Sequence, residues 1–166
     1  MLGQDGAAVM METTMTEDAP TLRRAGPADA AAVRDLTRAA YAKWVPLIGR
    51  EPKPMVADYD HAVQAHLIDL MYEGADLVAL IEMIPEADHL MIENVAVAPA
   101  MQRHGYGPAL VAHAETMAAK LGFTEVRLYT NPLFAGNVAL YTRLGYRVDR
   151  EEVFLAGMVV HMSKRI

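Results

Sequence analysis

Residues 95–114, VAVAPAMQRHGYGPALVAHA, contain a strand-to-helix transition that narrows the choice of folds. An apolar, strand-like run stops at Pro99, the chain passes Gly105 and Gly107, and helical spacing then resumes. The start of a helix exposes unpaired backbone N–H groups and the positive end of the helix dipole, so it favours anions. Because glycines let an anion approach the backbone, this stretch predicts an anion site large enough for a pyrophosphate.

The periodicity of the remaining chain predicts a mixed sheet covered by helices. The predicted elements are a strand at 21–24, a helix from Pro27, strands at 66–72, 77–84 and 90–97, a helix that Gly122 ends, a strand at 126–130, a helix at 137–144, and strands at 146–154 and 158–164. The proline-rich segment 49–54 is predicted to be a surface loop. Strand, helix and strand over residues 90–130 should form a parallel, right-handed unit. We therefore expect an α/β fold with a mostly antiparallel sheet of about six to seven strands and helices on both faces.

Composition limits the classes of function. The 166 residues, 53% of them hydrophobic, suit a single domain at 20–166, preceded by a flexible tail at 1–19. The net charge of -6 argues against nucleic acid and mildly favours a cationic substrate such as an amine. The longest apolar run is too short to span a membrane. The absence of cysteine excludes disulfides and thiolate metal sites and fits a cytoplasmic location.

Other glycine-rich loops fit this stretch poorly. A dinucleotide-binding fingerprint requires a third glycine where the sequence has Leu110. A P-loop requires Gly-Lys-Ser/Thr, whereas the sequence has Gly107-Pro108-Ala109. An ordinary strand-to-helix turn, with glycines for backbone geometry alone, is the alternative that the stretch by itself leaves open.

Two ordered motifs resemble those of the GNAT superfamily of acyl-CoA-dependent N-acyltransferases. The first is Val97-x-Pro99-x-x-Gln102-x-x-Gly105-x-Gly107. The second, Asn137-Val-Ala-Leu-Tyr141-Thr-Arg-Leu-Gly145-Tyr146, is a shortened form of the family's second landmark. The start of the domain, Leu22-Arg-Arg-Ala25 through Pro27-Ala-Asp29, also resembles the family's usual opening. The resemblance covers roughly residues 21–166 and implies a GNAT-like fold.

The resemblance also implies a binding mode for acetyl-CoA as co-substrate. The pantetheine arm would pair with the backbone of the strand, and the pyrophosphate would lie on the amides of the loop. The implied cofactor-binding residues are Val95, Ala96, Val97, Gln102, Arg103, His104, Gly105, Tyr106, Gly107, Pro108 and Asn137. Backbone groups of a strand can serve this way only where they are unpaired, so the sheet should open beside residues 95–97.

Two residues are the candidates for acid–base catalysis. Tyr141 falls on the family's tyrosine position and is the implied general acid. Glu93 is the candidate base, because an acid within an apolar strand is unusual and burial raises the pKa of a carboxyl group. Simple alternation along the strand places Glu93 with Val95, opposite Ile92. Glu82 in the preceding strand and a chain of water molecules remain the alternatives to Glu93.

The acceptor is expected to be an amine of a small molecule or a peptide. Tyr41, Trp44, Asp58 and Tyr59 are the candidate substrate-binding residues, since aromatic rings and a carboxylate suit an ammonium group. The scattered histidines lack the i, i+4 spacing of a zinc site, so no metal is expected. Dimers are common among similar proteins, and a homodimer is expected on that analogy alone.

These features predict an N-acetyltransferase that joins acetyl-CoA and an amine by direct attack in a ternary complex. The alternative is an acyl-CoA-binding or sensing domain of the same fold with little turnover. The candidate catalytic pair, Tyr141 and Glu93, favours the enzyme.

Overall fold

The computed structural model describes residues 19–154 and 157–166, in which seven strands form one sheet. The strands are β1 (Thr21–Arg24), β2 (Leu67–Glu73), β3 (Asp76–Pro85), β4 (Leu90–Val97), β5 (Glu125–Thr130), β6 (Arg147–Phe154) and β7 (Gly157–Arg165). Their order is β1-β2-β3-β4-β5-β7-β6, and only the β4–β5 pair is parallel. The predicted mixed, mostly antiparallel sheet is therefore confirmed. The predicted tail at 1–19 lies outside the described residues, apart from Ala19.

Within the described ranges, six α-helices connect these strands. They are α1 (Ala30–Tyr41), α2 (Val45–Ile48), α3 (Lys53–Val56), α4 (Tyr59–Ala65), α5 (Tyr106–Lys120) and α6 (Asn137–Arg143). In α1 the buried residues recur every three or four positions, which turns one face of the helix toward the sheet. Helix α5 ends at Gly122, whose φ of 84° lies in the left-handed region that favours glycine. None of the helices in the described ranges is long and apolar enough to cross a membrane.

Hydrophobic clusters lie on both faces of the sheet. Leu110 and Val111 of α5 pack with Leu90 and Leu128 on one face. On the other face, the helices α1 and α4 pack against β2, β3 and β4, with Val33 and other apolar residues fully buried. The sheet is thus covered by helices on both faces, as predicted.

The segment 49–54 differs from its predicted loop structure. Its last two residues begin the short helix α3, and Tyr59–Ala65, to which the periodicity assigned no element, forms α4. Prolines are tolerated at the start of α3 because the first N–H groups of a helix have no intrahelical partner. Asp58 provides a start signal for α4, since its side chain accepts a hydrogen bond from the backbone N–H of His61 at 3.1 Å.

A β-bulge in β4 corrects the predicted alternation of its side chains. Met83 of β3 pairs with Ile92 and Glu82 pairs with Asn94, so Glu93 is an extra residue without a partner in β3. The extra residue reverses the alternation. Val95 consequently packs against the same cluster as Ile92, on the α5 face, instead of lying opposite to it.

Candidate functional site

The sheet opens between β4 and β5. Their parallel ladder joins Leu90–Ile92 to Val126–Leu128 and then stops, although both strands continue. Beyond this point the carbonyl of Val95 accepts a hydrogen bond from the Tyr41 hydroxyl at 3.3 Å. The carbonyl of Val97 likewise accepts one from the Gln102 amide at 3.2 Å. The donors to these two carbonyls are thus side chains rather than the backbone of β5. The expected opening of the sheet beside residues 95–97 is present.

The turn from β4 into α5 has an unusual backbone. Arg103 and Gly105 have φ angles of 66° and 84°, and α5 begins at the next residue, Tyr106. The left-handed region is readily adopted by glycine and costs a residue with a side chain. A side-chain carbon built onto Gly107 would meet no atom within 4 Å, so this part of the first turn faces open space. The Tyr106 hydroxyl anchors the turn by donating to Glu73 in the β2–β3 hairpin at 2.5 Å.

A cavity that we call the loop cleft lies along this turn. Its lining includes Val95, Val97, Gln102, Arg103, Gly105, Tyr106, Gly107, Pro108 and Asn137, nine of the predicted cofactor-binding residues. The two others lie outside this lining. Ala96 is 1% exposed and packs on the α1 face, because the bulge turns its side chain away. His104 is exposed, with its ring stacked on Tyr106 at a centroid separation of 6.3 Å.

The loop cleft also contains basic residues that the motif did not predict. Lys43 and Arg143 line it together with Arg103. The Lys43 ammonium donates to the Gln102 side chain at 2.6 Å, and burial together with repulsion from Arg103 lowers the pKa of Lys43. This repulsion indicates a concentration of positive charge that an anion would relieve. No local signal identified Lys43, which lies about 60 residues before the loop.

A second cavity, which we call the hairpin pocket, adjoins the loop cleft. Its lining includes Tyr41, Ile48, Arg50, the residues 52–54, β4 from Ile92 to Val95, the end of β5 and Phe134, together with Phe154 and Val159 of the β6–β7 hairpin. Four residues line both cavities: Tyr41, Val95, Asn137 and Tyr141. A molecule that follows the loop cleft would therefore meet a second molecule in the hairpin pocket at this junction.

Glu93 faces the hairpin pocket with one oxygen engaged and the other free. Its Oε1 accepts hydrogen bonds from the Tyr129 hydroxyl at 2.7 Å and from the Lys53 ammonium at 2.9 Å. Among the residues that the structure describes, none donates to Oε2. Glu93 is paired with a cation and is only partly buried, its side chain being 18% exposed, which differs from the apolar burial expected from the sequence. Lys53 and Tyr129 were not predicted, because neither is close to Glu93 along the chain.

Glu82, the alternative to Glu93, is not part of the pocket lining. Its carboxylate is buried and lies 2.6 Å from Nδ1 of His66. Burial raises the pKa of Glu82, partly offset by its contact with His66. Glu82 pairs across the sheet with Asn94, which places it in a buried polar group beneath the pocket.

Tyr141 lies where the two cavities meet. Burial raises the pKa of its hydroxyl to about 12, which keeps the proton in place at neutral pH. That hydroxyl makes no hydrogen bond with any described residue, while the ring packs edge-on against Tyr146. Asn137, one turn earlier in α6, donates to the hydroxyl of Thr130 at 3.3 Å. Gly136 occupies the N-cap position of this helix, so Asn137 is its first residue.

Only one of the four predicted substrate-binding residues lines the hairpin pocket, namely Tyr41. Trp44 lines the loop cleft and stacks on Phe134 with ring centroids 4.9 Å apart. Asp58 is occupied in capping α4. Tyr59 is 2% exposed, and its hydroxyl donates to the carbonyl of Pro54 at 2.6 Å. The structure therefore does not bring these four residues together around an ammonium group.

Comparisons with known proteins identify a family and a shared fold. A model of the acetyltransferase (GNAT) family matches residues 31–146. No curated protein matches the chain by sequence. Among solved structures, the PaiA N-acetyltransferase from Thermoplasma acidophilum in complex with coenzyme A superimposes with a TM-score of 0.74 at 16% identity, over 89% of this chain and 99% of that chain.

Two further structures show the same fold. A GNAT family acetyltransferase from Elizabethkingia anophelis with acetyl-CoA bound has a TM-score of 0.68 at 16% identity, over 90% of this chain and 99% of that chain. The ribosomal-protein-S18-alanine N-acetyltransferase from Escherichia coli has a TM-score of 0.69 at 20% identity, over 89% and 94% of the respective chains. At these identities the likeness concerns the fold alone.

Proposed function

This chain belongs to the acetyltransferase (GNAT) family, and we propose that it transfers the acetyl group of acetyl-CoA to an amine by direct attack in a ternary complex. The observation that carries the proposal is the junction of the two cavities at Tyr41, Val95, Asn137 and Tyr141. Two substrates held in separate cavities that meet at one point can react without either leaving the protein. The cysteine-free sequence supports a cytoplasmic location as part of the same proposal.

The loop cleft has the donors that acetyl-CoA requires. Acetyl-CoA supplies an activated thioester carbonyl. The unpaired N–H groups at the start of α5 and the side chains of Lys43 and Arg143 would hold its pyrophosphate. The open space beside Gly107 would admit the phosphate oxygens. The backbone at Val95 and Val97, where β5 has separated, would align the pantetheine arm.

Glu93 would accept the proton of the incoming ammonium group. A primary amine has a pKa of about 10, so roughly one molecule in a thousand is neutral at pH 7, a handicap of about 4 kcal/mol. Tyr129 and Lys53 hold one carboxylate oxygen of Glu93 and leave Oε2 available to the pocket. A carboxylate oriented in this way can take the proton directly or through one water molecule.

Tyr141 would donate its proton to the departing sulfur. Its raised pKa keeps the hydroxyl protonated until the reaction needs it. Burial also raises the pKa of a thiol in the same place. The pKa of the departing sulfur therefore rises together with the pKa of Tyr141, the group that donates the proton. Because no described residue accepts from this hydroxyl, it is free to point toward the junction.

The test is release of free CoA from acetyl-CoA across a panel of amino acids, polyamines, aminoglycosides and peptides. We expect Tyr141→Phe and Glu93→Gln each to lower kcat by about 100-fold, the usual scale for a general acid or base. Affinity for CoA should stay within about twofold. Tyr146→Phe and Glu151→Gln are matched controls, since Tyr146 lies beside Tyr141 outside both linings and Glu151 is exposed on β6.

The outcomes separate the two functions considered. Acetyl-CoA binding without CoA release from any amine would favour an acyl-CoA-binding domain. Full activity in both variants would contradict the roles of Tyr141 and Glu93 while leaving the transfer reaction intact. Failure to bind CoA at all would contradict the proposed function itself.

A further inference from the structure

The hairpin pocket contains a cation that has no described partner. Its charged lining residues are Arg50, Lys53 and Glu93. Lys53 is paired with Glu93 at 2.9 Å, so these two charges compensate each other. Arg50 forms no hydrogen bond or ion pair with any residue in the ranges 19–154 and 157–166. The pocket therefore has one positive charge in excess, although the whole chain has a net charge of -6.

The acidic residue next to Arg50 is engaged elsewhere. Glu51 accepts a hydrogen bond from the guanidinium of Arg38 at 2.7 Å. Arg38 also donates to the carbonyl of Met55 at 2.7 Å and thereby fixes the segment between α2 and α3 on α1. With Glu51 held by Arg38, the closest acid along the chain does not neutralise Arg50.

The position of Arg50 places its guanidinium between two walls of the pocket. Arg50 is half-buried and follows α2. A side-chain carbon built onto Gly157, at the start of β7, would lie 3.9 Å from a guanidinium nitrogen. Desolvating a guanidinium without a hydrogen-bonding partner is unfavourable. A ligand with a carboxylate group would supply that partner, and its two oxygens match the fork of N–H donors.

The other walls of the pocket are largely apolar. Ile48, Pro52, Phe134, Phe154 and Val159 contribute to its lining. A cation that can bind a carboxylate, a carboxylate that can accept a proton from an amine, and apolar walls between them line the same pocket. They suit a ligand with a carboxylate group, an amine and an apolar part.

From this arrangement we propose that the acceptor is an amino carboxylate, a small molecule whose amine faces Glu93 while its carboxylate pairs with Arg50. This inference rests on the proposed function and names the class of acceptor. It narrows the amine of a small molecule or peptide expected from the sequence to one that also has a carboxylate group. An amino acid with an apolar side chain or an ω-amino acid would satisfy it.

The test compares each acid with its uncharged amide. Two matched pairs are used. L-Leucine and L-leucinamide represent an amino acid with an apolar side chain, and 6-aminohexanoate and 6-aminohexanamide represent an ω-amino acid. We expect kcat/KM of Arg50→Gln to fall at least about tenfold for the acid of the preferred pair, as befits the loss of a charge-assisted hydrogen bond. For the amide, kcat/KM should stay within about twofold. An acid and its amide differ in the pKa of the amine. This difference is the same for the wild type and for Arg50→Gln, so it cancels when the acid-to-amide ratios of kcat/KM of the two proteins are compared.

Arg34→Gln is the matched control, since the side chain of Arg34 on α1 is 43% exposed and lies outside both cavity linings. It should leave the acid-to-amide ratio unchanged. An unchanged ratio in Arg50→Gln would contradict the inference and leave the proposed function standing. An equal loss on acid and amide would assign Arg50 a structural role and would also contradict the inference. Absence of CoA release from every amine of the wider panel would contradict the proposed function, and the inference with it.

Discussion

The loop cleft and the hairpin pocket differ in how the chain builds them. About half of the loop-cleft lining comes from one continuous stretch, residues 95–108, and the cleft offers mainly backbone groups and basic side chains. The hairpin pocket draws on separate segments, including residues 52–54 and 92–95 together with Phe154 and Val159, and offers side chains of both charges. Recognition by the backbone can be contained in a short motif. Recognition by side chains depends on which distant segments the fold brings together.

The two cavities also differ in charge. The described lining of the loop cleft has three basic residues, Lys43, Arg103 and Arg143, and no acidic one. In the hairpin pocket, Glu93 neutralises the charge of Lys53, and the charge of Arg50 remains uncompensated. Neither cavity reflects the net charge of the chain, because the surplus of acidic residues lies elsewhere. The net charge is therefore a poor guide to the ligands of a small site.

Among substitutions that should affect one cavity and not the other, Gly107→Glu is expected to have the largest effect. The new side chain would extend into the open space beside α5 and place a negative charge where the pyrophosphate is expected. Like charges brought together cost several kcal/mol, so affinity for CoA should fall by about 100-fold. Isothermal titration calorimetry with CoA measures this loss.

Ala109→Glu is the control for Gly107→Glu. It introduces the same charge into the same helical turn, but on an exposed position outside the cleft lining. Affinity for CoA should remain within about threefold, because an exposed charge is screened by solvent. Unaltered binding by Gly107→Glu would show that the cleft is not the anion site.

A smaller effect, confined to the other cavity, is expected from Phe154→Ala. Phe154 lines the hairpin pocket from the end of β6 and is 44% exposed. Losing an aromatic contact worth about 1 kcal/mol should raise KM for the preferred amine by about fivefold and leave the Kd of CoA unchanged. Steady-state kinetics and calorimetry provide the two values.

Val153→Ala provides the comparison for Phe154→Ala. Val153 is its neighbour on β6, is 75% exposed and lies outside the pocket lining. It should change neither value. A rise in the Kd of CoA for Phe154→Ala would mean that the two cavities are not independent.

The smallest effect is expected from Asp29→Asn, which should alter stability and leave both cavities intact. Asp29 accepts hydrogen bonds from Arg23 at 2.8 Å and from the backbone of Gly26 at 2.8 Å, and these contacts lower its pKa to about 2. Because its pKa in the folded state is depressed, this contribution is present above about pH 4 and is lost as the pH falls toward 2.

We expect Asp29→Asn to lower the free energy of unfolding by about 1 kcal/mol at pH 7, a modest value since Arg23 is half-exposed. The difference from the wild type should vanish near pH 2. Urea unfolding at pH 7, 4 and 2 measures it, with Asp35→Asn as the control because Asp35 has only a 3.9 Å contact with Arg34. A difference that persisted at pH 2 would rule out the charge of Asp29 as its cause.

The sequence predicted the sheet, the strand-to-helix turn and about half of the residues that line the loop cleft, because these depend on local periodicity and on one contiguous motif. It did not predict the bulge at Glu93, which is defined by pairing with β3 rather than by the residues of β4. Helix α4 was missed although its start signal, Asp58 three residues before His61, is present in the sequence.

The acceptor side was predicted least well. Asp58 and Tyr59 are close to other aromatic residues along the chain, but neither is available to a substrate. The side chain of Asp58 caps α4, and Tyr59, in the first turn of α4, is buried. Lys53 and Arg50 reach the hairpin pocket through the path of the chain between α2 and α3. That path is fixed by the contacts of Arg38, which joins segments about 13 to 17 residues apart.

The bulge has a consequence for how such a protein can diverge. Glu93 lies outside the regular pairing of β3 with β4, so its side chain is not required to match a neighbour across the ladder. Ile92 and Val95 pack on the α5 face of the sheet, and Ala96 packs on the α1 face. A substitution at this one position can therefore change the chemistry offered to a new acceptor while the hydrophobic core stays as it is, with loss of the proton acceptor proposed for the present reaction.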